Sequence, residues 1–146
     1  FFCCYDIDPD DILAKTFEEV GCYDDMVVLK NMRFESHCEH HMVPIVGRAH
    51  IGYLPDNRVV GISKIARLMD VFAKRLQTQE TMTAQIAGTI DKVLKPKGVI
   101  ILVDAFHQCM TTRGVYKQDT STATFKATGV FKDNKEFQDR FFQLIK

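Results

Sequence analysis

Cysteines and histidines in two separate segments are the residues of this chain best suited to chemistry. Cys38, His40 and His41 lie close together, and His107 and Cys109 follow far downstream. Cysteine sulfur and histidine nitrogen are the ligands that Zn²⁺ prefers, in a tetrahedral shell. An isolated cysteine is more often a small buried residue than a ligand, but a cluster with several histidines favours a metal. The pattern therefore predicts a zinc site.

The number of protein ligands separates a structural zinc site from a catalytic one. Structural sites usually have four ligands in two close pairs, whereas catalytic sites keep one position for water. The chain has one close pair, Cys38 and His41, and a distant candidate in Cys109. Residues three apart do not share a strand face, so the chain must bend between Cys38 and His41 if both bind. His107 and Cys109 are two apart and would share a face. These spacings favour a catalytic site.

Composition limits what else the chain can be. With 146 residues, of which 46% are hydrophobic, it is long enough for one globular domain over residues 1–146. We find no apolar run of about 18 residues and no signal segment, so no membrane association is expected. Five cysteines, an odd number, favour a reducing, cytoplasmic location. Basic and acidic residues balance at 19 each, which argues against a nucleic-acid-binding surface.

The apolar pattern predicts the elements that would position these residues. Apolar residues recur at three- and four-residue steps over Ile62–Leu76 and again over Met82–Leu94, which predicts two consecutive helices joined near Gln77–Gln79. A short helix is predicted over Ile12–Glu19. Strands are predicted over Met26–Phe34, His41–Leu54, Arg58–Ile62, Val99–Met110 and Thr120–Phe131.

These elements predict an α+β domain, in which a largely antiparallel sheet carries the consecutive helix pair on one face. Two helices cover only one side of a sheet. We therefore expect a neighbouring subunit to cover the apolar residues on the other side.

Polar residues at the two helix starts form a second group of candidates. Ser63 is a predicted N-cap, and Lys64 and Arg67 share a helix face beside it, as in a phosphate site. An ordinary solvated helix face is the alternative. Glu80 follows Gln79 at the second helix start. Its carboxylate could accept N1–H and the exocyclic amine of guanine, or it could simply face the helix dipole.

Four motifs together resemble the zinc-dependent GTP cyclohydrolase I family. They occur in the family's order and spacing and are Cys38–His41, Gly61–Arg67, Arg75–Glu80 and His107–Gly114. The resemblance extends over about the whole chain, although the further N-terminal helices of family members are absent from it.

The resemblance implies the tunnelling fold, in which subunits assemble into a homo-oligomer, a decamer in the family, around a barrel of strands with active sites between subunits. It implies a reaction in which GTP and water give formate and 7,8-dihydroneopterin triphosphate. The implied zinc ligands are Cys38, His41 and Cys109. The implied acid–base residues are His40 and His107. Guanine would be bound by Gln79 and Glu80. Ribose and triphosphate would be bound by Ser63, Lys64, Arg67 and Arg113.

Two other classes of protein remain open. One is a related tunnelling-fold enzyme that acts on a pterin or deazapurine, such as a reductase with a cysteine nucleophile and no zinc. The other is a non-catalytic binding domain stabilised by zinc with four protein ligands. Metal analysis distinguishes the reductase, which needs no zinc, from a zinc hydrolase. A coordination position left for water distinguishes a zinc hydrolase from the binding domain.

Overall fold

The computed structural model describes residues 5–14, 23–39, 41–108 and 120–146. Helices and strands are interspersed along these segments. In chain order they are α1 (Pro9–Leu13), β1 (Val27–Cys38), β2 (Pro44–Leu54), α2 (Ile62–Ala73), β3 (Leu76–Gln77), α3 (Gln79–Leu94), β4 (Gly98–His107), β5 (Thr122–Ala127), α4 (Val130–Asp133) and α5 (Lys135–Leu144).

The strands form one five-stranded sheet in the order β3-β1-β2-β4-β5. β1 with β2, β2 with β4, and β4 with β5 are antiparallel. The short β3 is parallel to the end of β1, with Cys38 opposite Gln77. The predicted α+β class and largely antiparallel sheet are therefore confirmed.

The helix pair α2 and α3 packs on one face of this sheet. Ile65 and Leu68 of α2 and Ile86 of α3 are fully buried against strand residues such as Ile101 and Val103. Each such side chain stabilises the fold by about 1.5 to 3 kcal/mol relative to an exposed one. Successive strand residues face opposite sides, so His107 lies on the same face of β4 as Ile101 and Val103.

The opposite face is partly covered by the chain's own C-terminus. Ile100 and Leu54 are buried there against Phe131 of α4 and Phe141 of α5. Gly129 lies directly before α4 and has a φ of 56°, in the left-handed region. A Cβ at that position would collide with the Lys97 carbonyl, so glycine is required there. The expectation that a neighbouring subunit covers this face is therefore wrong for this part of it. The sequence analysis did not predict α4 or α5.

Several predicted boundaries differ from the observed ones. Arg58–Ile62 is not a strand, because only Val59 forms an isolated bridge and α2 begins at Ile62. The first helix begins at Pro9, after the N-cap Asp8, where a helix start is expected from the sequence Asp8-Pro9-Asp10-Asp11. Residues 15–22 lie outside the described part of the chain.

In the segments that are described, no helix is both long and apolar enough to cross a membrane.

His50 is a buried histidine on the face opposite the helix pair. Its Nδ1 accepts a hydrogen bond from the Asn31 backbone N–H at 3.1 Å, where β1 is irregular and Asn31 has a φ of 60°. Burial lowers the pKa of His50 below its ordinary value; the charge of Asp104 raises this pKa, and those of Arg48 and Lys30 lower it. His50 therefore binds fewer protons in the folded chain than in the unfolded chain.

We predict that this difference makes the chain less stable in acid. Stability should fall as the pH drops through the ordinary histidine pKa of 6.5, because only the unfolded state readily takes up the proton. His50→Asn keeps an acceptor for Asn31 but cannot titrate. Urea unfolding at about pH 7 and about pH 5 should therefore show a smaller loss of stability for the variant than for the unaltered chain. Equal losses in both proteins would contradict the prediction.

Candidate active site

A cavity of about 200 Å³ lies where β1 and β4 end and α3 begins. Cys38 is the last residue of β1, and its partner Gln77 in β3 directly precedes Thr78 and the start of α3. His107 is the last residue of β4. The cavity is lined by Cys38, His41, Gln77, Thr78, Gln79, Glu80 and His107. The fold thus brings together residues that are far apart in sequence.

The chain turns sharply after Cys38, which is the bend that Cys38 and His41 would need if both bound one metal ion. The Met42 N–H donates to the Cys38 carbonyl at 2.8 Å, and the Cys38 N–H donates to the Val43 carbonyl at 2.9 Å. Met42 has a φ of 57°, in the left-handed region. The turn places His41 Nδ1 at 3.9 Å from Cys38 Sγ.

This separation is close to that of two ligands of one zinc ion. Zn–S and Zn–N bonds of about 2.3 and 2.1 Å at a tetrahedral angle place sulfur and nitrogen about 3.6 Å apart. Within the described residues, no three His, Cys, Asp or Glu side chains gather as a metal site. The third predicted ligand, Cys109, lies outside those residues, as do His40 and Arg113. The described pair therefore fits two positions of the predicted ligand set.

The start of α3 places two predicted guanine-binding residues at the cavity. Thr78 is the N-cap, and its hydroxyl accepts a hydrogen bond from the Thr81 N–H at 3.3 Å. Gln79 and Glu80 form the first turn, with Gln79 buried and Glu80 exposed. The Glu80 carboxylate is therefore available to a ligand, whereas the Gln79 side chain is enclosed by the protein.

His107 is held against the enclosed Gln79 side chain. The distance between His107 Nε2 and Gln79 Oε1 is 2.7 Å. Burial lowers the pKa of His107 below its ordinary value, and the negative charge of Glu80 partly opposes this shift. A half-buried histidine with a lowered pKa is largely neutral near pH 7, which is the form that can accept a proton.

The predicted phosphate-binding residues of α2 do not line this cavity in one chain. Ser63, Lys64 and Arg67 lie in the first turns of α2, and none of them lines the cavity. The end of α2 leads into β3 beside Cys38, so Ser63 is about 15 Å away from that end at 1.5 Å per helical residue. The N-cap is Gly61, so the prediction that Ser63 caps the helix is wrong.

Sequence reasoning did not assign a role to several polar residues at the site. Gln77 and Thr78 line the cavity, and a threonine before an apolar helix is an N-cap signal that could have identified Thr78. Thr83 and Thr124 contact each other at 2.7 Å beside Gln79. No sequence signal identifies Thr124, because its position depends on the pairing of β5 with β4.

The sequence model of the family described as GTP cyclohydrolase I matches residues 1–146. The chain belongs to the GTP cyclohydrolase I family. A protein named GTP cyclohydrolase 1 from Maricaulis maris (strain MCS10) is 57% identical over 145 residues, covering 99% of this chain and 71% of the relative. One of the same name from Brucella suis (strain ATCC 23445 / NCTC 10510) is 56% identical over 142 residues, covering 97% of this chain and 67% of the relative. The predicted family is confirmed.

A solved structure supports the fold assignment within this family. The archaeosine synthase QueF-Like in the apo form superposes with a TM-score of 0.61 at 18% sequence identity, covering 73% of this chain and 96% of the other. At that identity the similarity concerns the fold alone. It confirms the tunnelling fold expected for a GTP cyclohydrolase I family member.

We predict that the Thr78 cap stabilises the helix start that carries Gln79 and Glu80. Thr78→Ala removes the acceptor for the Thr81 N–H and should lower the free energy of unfolding by about 1 kcal/mol. Thr89→Ala is a matched control, since the Thr89 hydroxyl bonds to the Gln85 carbonyl within the same helix, and it should change stability by less than about 0.5 kcal/mol. Urea unfolding measures both. A loss no larger for Thr78→Ala than for Thr89→Ala would show that the cap contributes little.

Proposed function

We propose that this cavity is the site at which the chain opens the imidazole ring of GTP. As a member of the GTP cyclohydrolase I family, the chain carries out the first step of pterin and folate synthesis. In that reaction GTP and water give formate and 7,8-dihydroneopterin triphosphate. The observation that best supports this location is the meeting of the Cys38–His41 pair, His107 and Glu80 in one cavity.

Cys38, His41 and Cys109 would hold Zn²⁺ at this site. The 3.9 Å between Cys38 Sγ and His41 Nδ1 supports the first two as ligands of one ion. Bound zinc would lower the pKa of a water molecule towards neutral pH, which is the chemistry that hydrolytic ring opening requires. A set of only three protein ligands leaves room for that water.

The histidines of the site would move protons. His107 is largely neutral because burial lowers its pKa, so it can accept a proton and later return it to a ring nitrogen of the purine. His40 would be the second acid–base residue, as the family resemblance implies.

Glu80 would select guanine by accepting hydrogen bonds from N1–H and the 2-amino group. It is exposed and lines the cavity, which supports this role. The polar atoms of the Gln79 side chain are bonded within the protein. Any contact of Gln79 with guanine would therefore use its backbone N–H, which has no partner within the helix at this position.

The triphosphate would be bound by Ser63, Lys64 and Arg67 of a neighbouring chain, together with Arg113. In one chain the start of α2 is a helix length away from the cavity, whereas a second chain can bring its own α2 to it. A homo-oligomer with sites between subunits, a decamer by family resemblance, would meet this requirement. Large exposed apolar residues support such contacts: Ile62 beside Ser63 is 66% exposed, and Phe106 is 46% exposed.

The cytoplasmic location expected from the cysteine content stays a prediction.

Incubation of the purified chain with GTP tests the proposed function. We expect formate and, after oxidation, a fluorescent pterin. Both products should disappear after chelation and return when zinc is added. Zinc-dependent phosphate release without formate would instead indicate a phosphatase and would contradict the proposal.

We predict about one zinc per chain, with Cys109 and His41 among its ligands. Cys109→Ser and His41→Ala should each lose most of the metal while the circular dichroism spectrum is retained, because the core formed by α2, α3 and the sheet does not depend on the site. Cys22→Ser is the matched control and should keep its zinc. Metal analysis measures all three variants. Full zinc occupancy in Cys109→Ser would remove that residue from the ligand set.

We predict that Glu80 sets the preference for guanine. ATP lacks the N1–H donor and would leave the Glu80 carboxylate unpaired in a site closed by a neighbouring subunit, so kcat/KM for GTP should exceed that for ATP by at least roughly a hundredfold. ITP keeps N1–H but lacks the 2-amino group and should fall between the two. Glu80→Gln should reduce the preference, whereas Glu136→Gln on the distant α5 should not. Equal use of GTP and ITP by the unaltered chain would show that Glu80 does not bind guanine.

A further inference from the structure

The Gln79 side chain is almost completely buried and makes contacts at both ends of its amide. Its Nε2 lies 3.1 Å from the Val103 carbonyl, 2.8 Å from the Thr122 carbonyl and 3.1 Å from Thr124 Oγ1. Its Oε1 lies 2.7 Å from His107 Nε2. One side chain from α3 therefore connects β4 and β5 to the histidine of the cavity.

The chemistry of these neighbours fixes the orientation of the amide. Backbone carbonyl oxygens can only accept hydrogen bonds. The end of the amide that faces Val103 and Thr122 must therefore be the NH₂ group, because the reverse orientation would place oxygen against two carbonyl oxygens. The end that faces His107 is consequently the oxygen.

The direction of the hydrogen bonds made by Thr83 and Thr124 is fixed in the same way. The Thr83 hydroxyl is 2.7 Å from the Gln79 backbone carbonyl and 2.7 Å from Thr124 Oγ1. Its single proton goes to the carbonyl, which cannot donate, so Thr124 must donate to Thr83. Thr124 Oγ1 is then left to accept from Gln79 Nε2. The two protons of Gln79 Nε2 are shared among three acceptors, the Val103 and Thr122 carbonyls and Thr124 Oγ1.

We propose that Gln79 is a positioning residue that holds His107 as the tautomer with its proton on Nε2. Gln79 Oε1 can only accept, so His107 Nε2 must donate at the 2.7 Å contact. In the neutral ring the other nitrogen, Nδ1, then carries the lone pair. None of the described residues makes a hydrogen bond to Nδ1, so Nδ1 is the atom that can accept a proton or a hydrogen bond from a ligand.

The alternative tautomer is disfavoured by the same contacts. With the proton on Nδ1, the lone pairs of His107 Nε2 and Gln79 Oε1 would face each other. Rotation of the amide would not relieve this repulsion, because Val103 and Thr122 require the NH₂ group on their side. Gln79 is neutral, so it fixes the ring without adding a charge beside it. The catalytic part of this inference rests on the proposed function of His107, whereas the tautomer itself does not.

Nitrogen NMR measures the tautomer directly. The chain has five histidines, so ¹⁵N-histidine labelling gives few signals, and the His107→Gln spectrum identifies those of His107. Magic-angle spinning makes the measurement independent of particle size. In the zinc-loaded chain at about pH 8, where a histidine ring is neutral, we expect a protonated signal for Nε2 and an unprotonated signal for Nδ1. The reverse assignment would overturn the proposal without any variant at Gln79.

Matched variants test whether Gln79 sets the tautomer. Gln79→Met removes the acceptor but keeps the length of the side chain, so His107 should become a mixture of tautomers. Gln77→Met is the control, because Gln77 is also buried and lines the same cavity but bonds to Phe72 and Gln85 instead. It should leave the His107 signals unchanged. An unchanged tautomer in Gln79→Met, or the same change in Gln77→Met, would contradict the proposal.

Turnover gives a second measurement. Loss of a group that orients a catalytic residue costs about tenfold to a hundredfold, and Gln79→Met should show this loss in kcat with a smaller change in KM for GTP. A loss confined to KM would contradict a positioning role. The two hypotheses can fail separately: absence of formate with the unaltered chain would reject the proposed function, while the Nε2–H tautomer could still be observed.

Discussion

The pairing of β3 with the end of β1 is the contact on which the site depends. This short strand lies between α2 and α3, so its position fixes where one helix ends and the next begins. Glu39 N–H donates to the Gln77 carbonyl at 2.9 Å, and the Ser36 hydroxyl donates to the Arg75 carbonyl at 3.3 Å. Because α3 starts directly after β3, these bonds place its first turn beside Cys38.

Buried amides connect this junction to the core on both sides. Gln77 Nε2 donates to the Phe72 carbonyl and to Gln85 Oε1, each at 3.0 Å, and so links the end of α2 to α3. Gln79 makes the corresponding link to β4 and β5. A buried polar group is costly unless it is hydrogen-bonded. In the described part of the chain, no buried side-chain nitrogen or oxygen lacks a partner. Polar groups can therefore support the site without weakening the core.

The two helices differ in how their ends relate to the cavity. The first turns of α3 bury Gln79 and Thr83 near the cavity, and the later turns bury Ile86, Ile90 and Leu94. The polar part binds β4, β5 and His107, while the apolar part stabilises the packing of the helix. In α2 the basic residues lie in the first turns, at the end far from the cavity. One chain therefore carries the two parts of the proposed substrate site at opposite ends of α2.

The sequence alone determined the features that depend on local pattern or residue type. Repeated apolar steps identified α2 and α3, and alternating or continuous apolar residues identified β1, β2 and β4. The residue types of Cys38 and His41 indicated zinc, and their spacing predicted a turn between them if both bind. The exact strand ends and the split between α2 and β3 were missed because Leu76 fits a helical apolar pattern and a strand equally well. α5 was missed although Phe137, Phe141 and Ile145 recur at four-residue steps after the N-cap Asn134. The sequence pattern does not show that this apolar face meets Ile100 and Leu54.

Only the tertiary structure decided which distant residues share the cavity and how their protons are arranged. The sequence places Gln79 and His107 in separate elements, and β4 must pair with its neighbours before the two side chains can meet. The same folding step brings the carbonyls of Val103 and Thr122 to Gln79. Those carbonyls determine the direction of the amide, and the amide in turn determines which nitrogen of His107 carries the proton. Such a constraint arises from several elements at once, so no local sequence pattern records it.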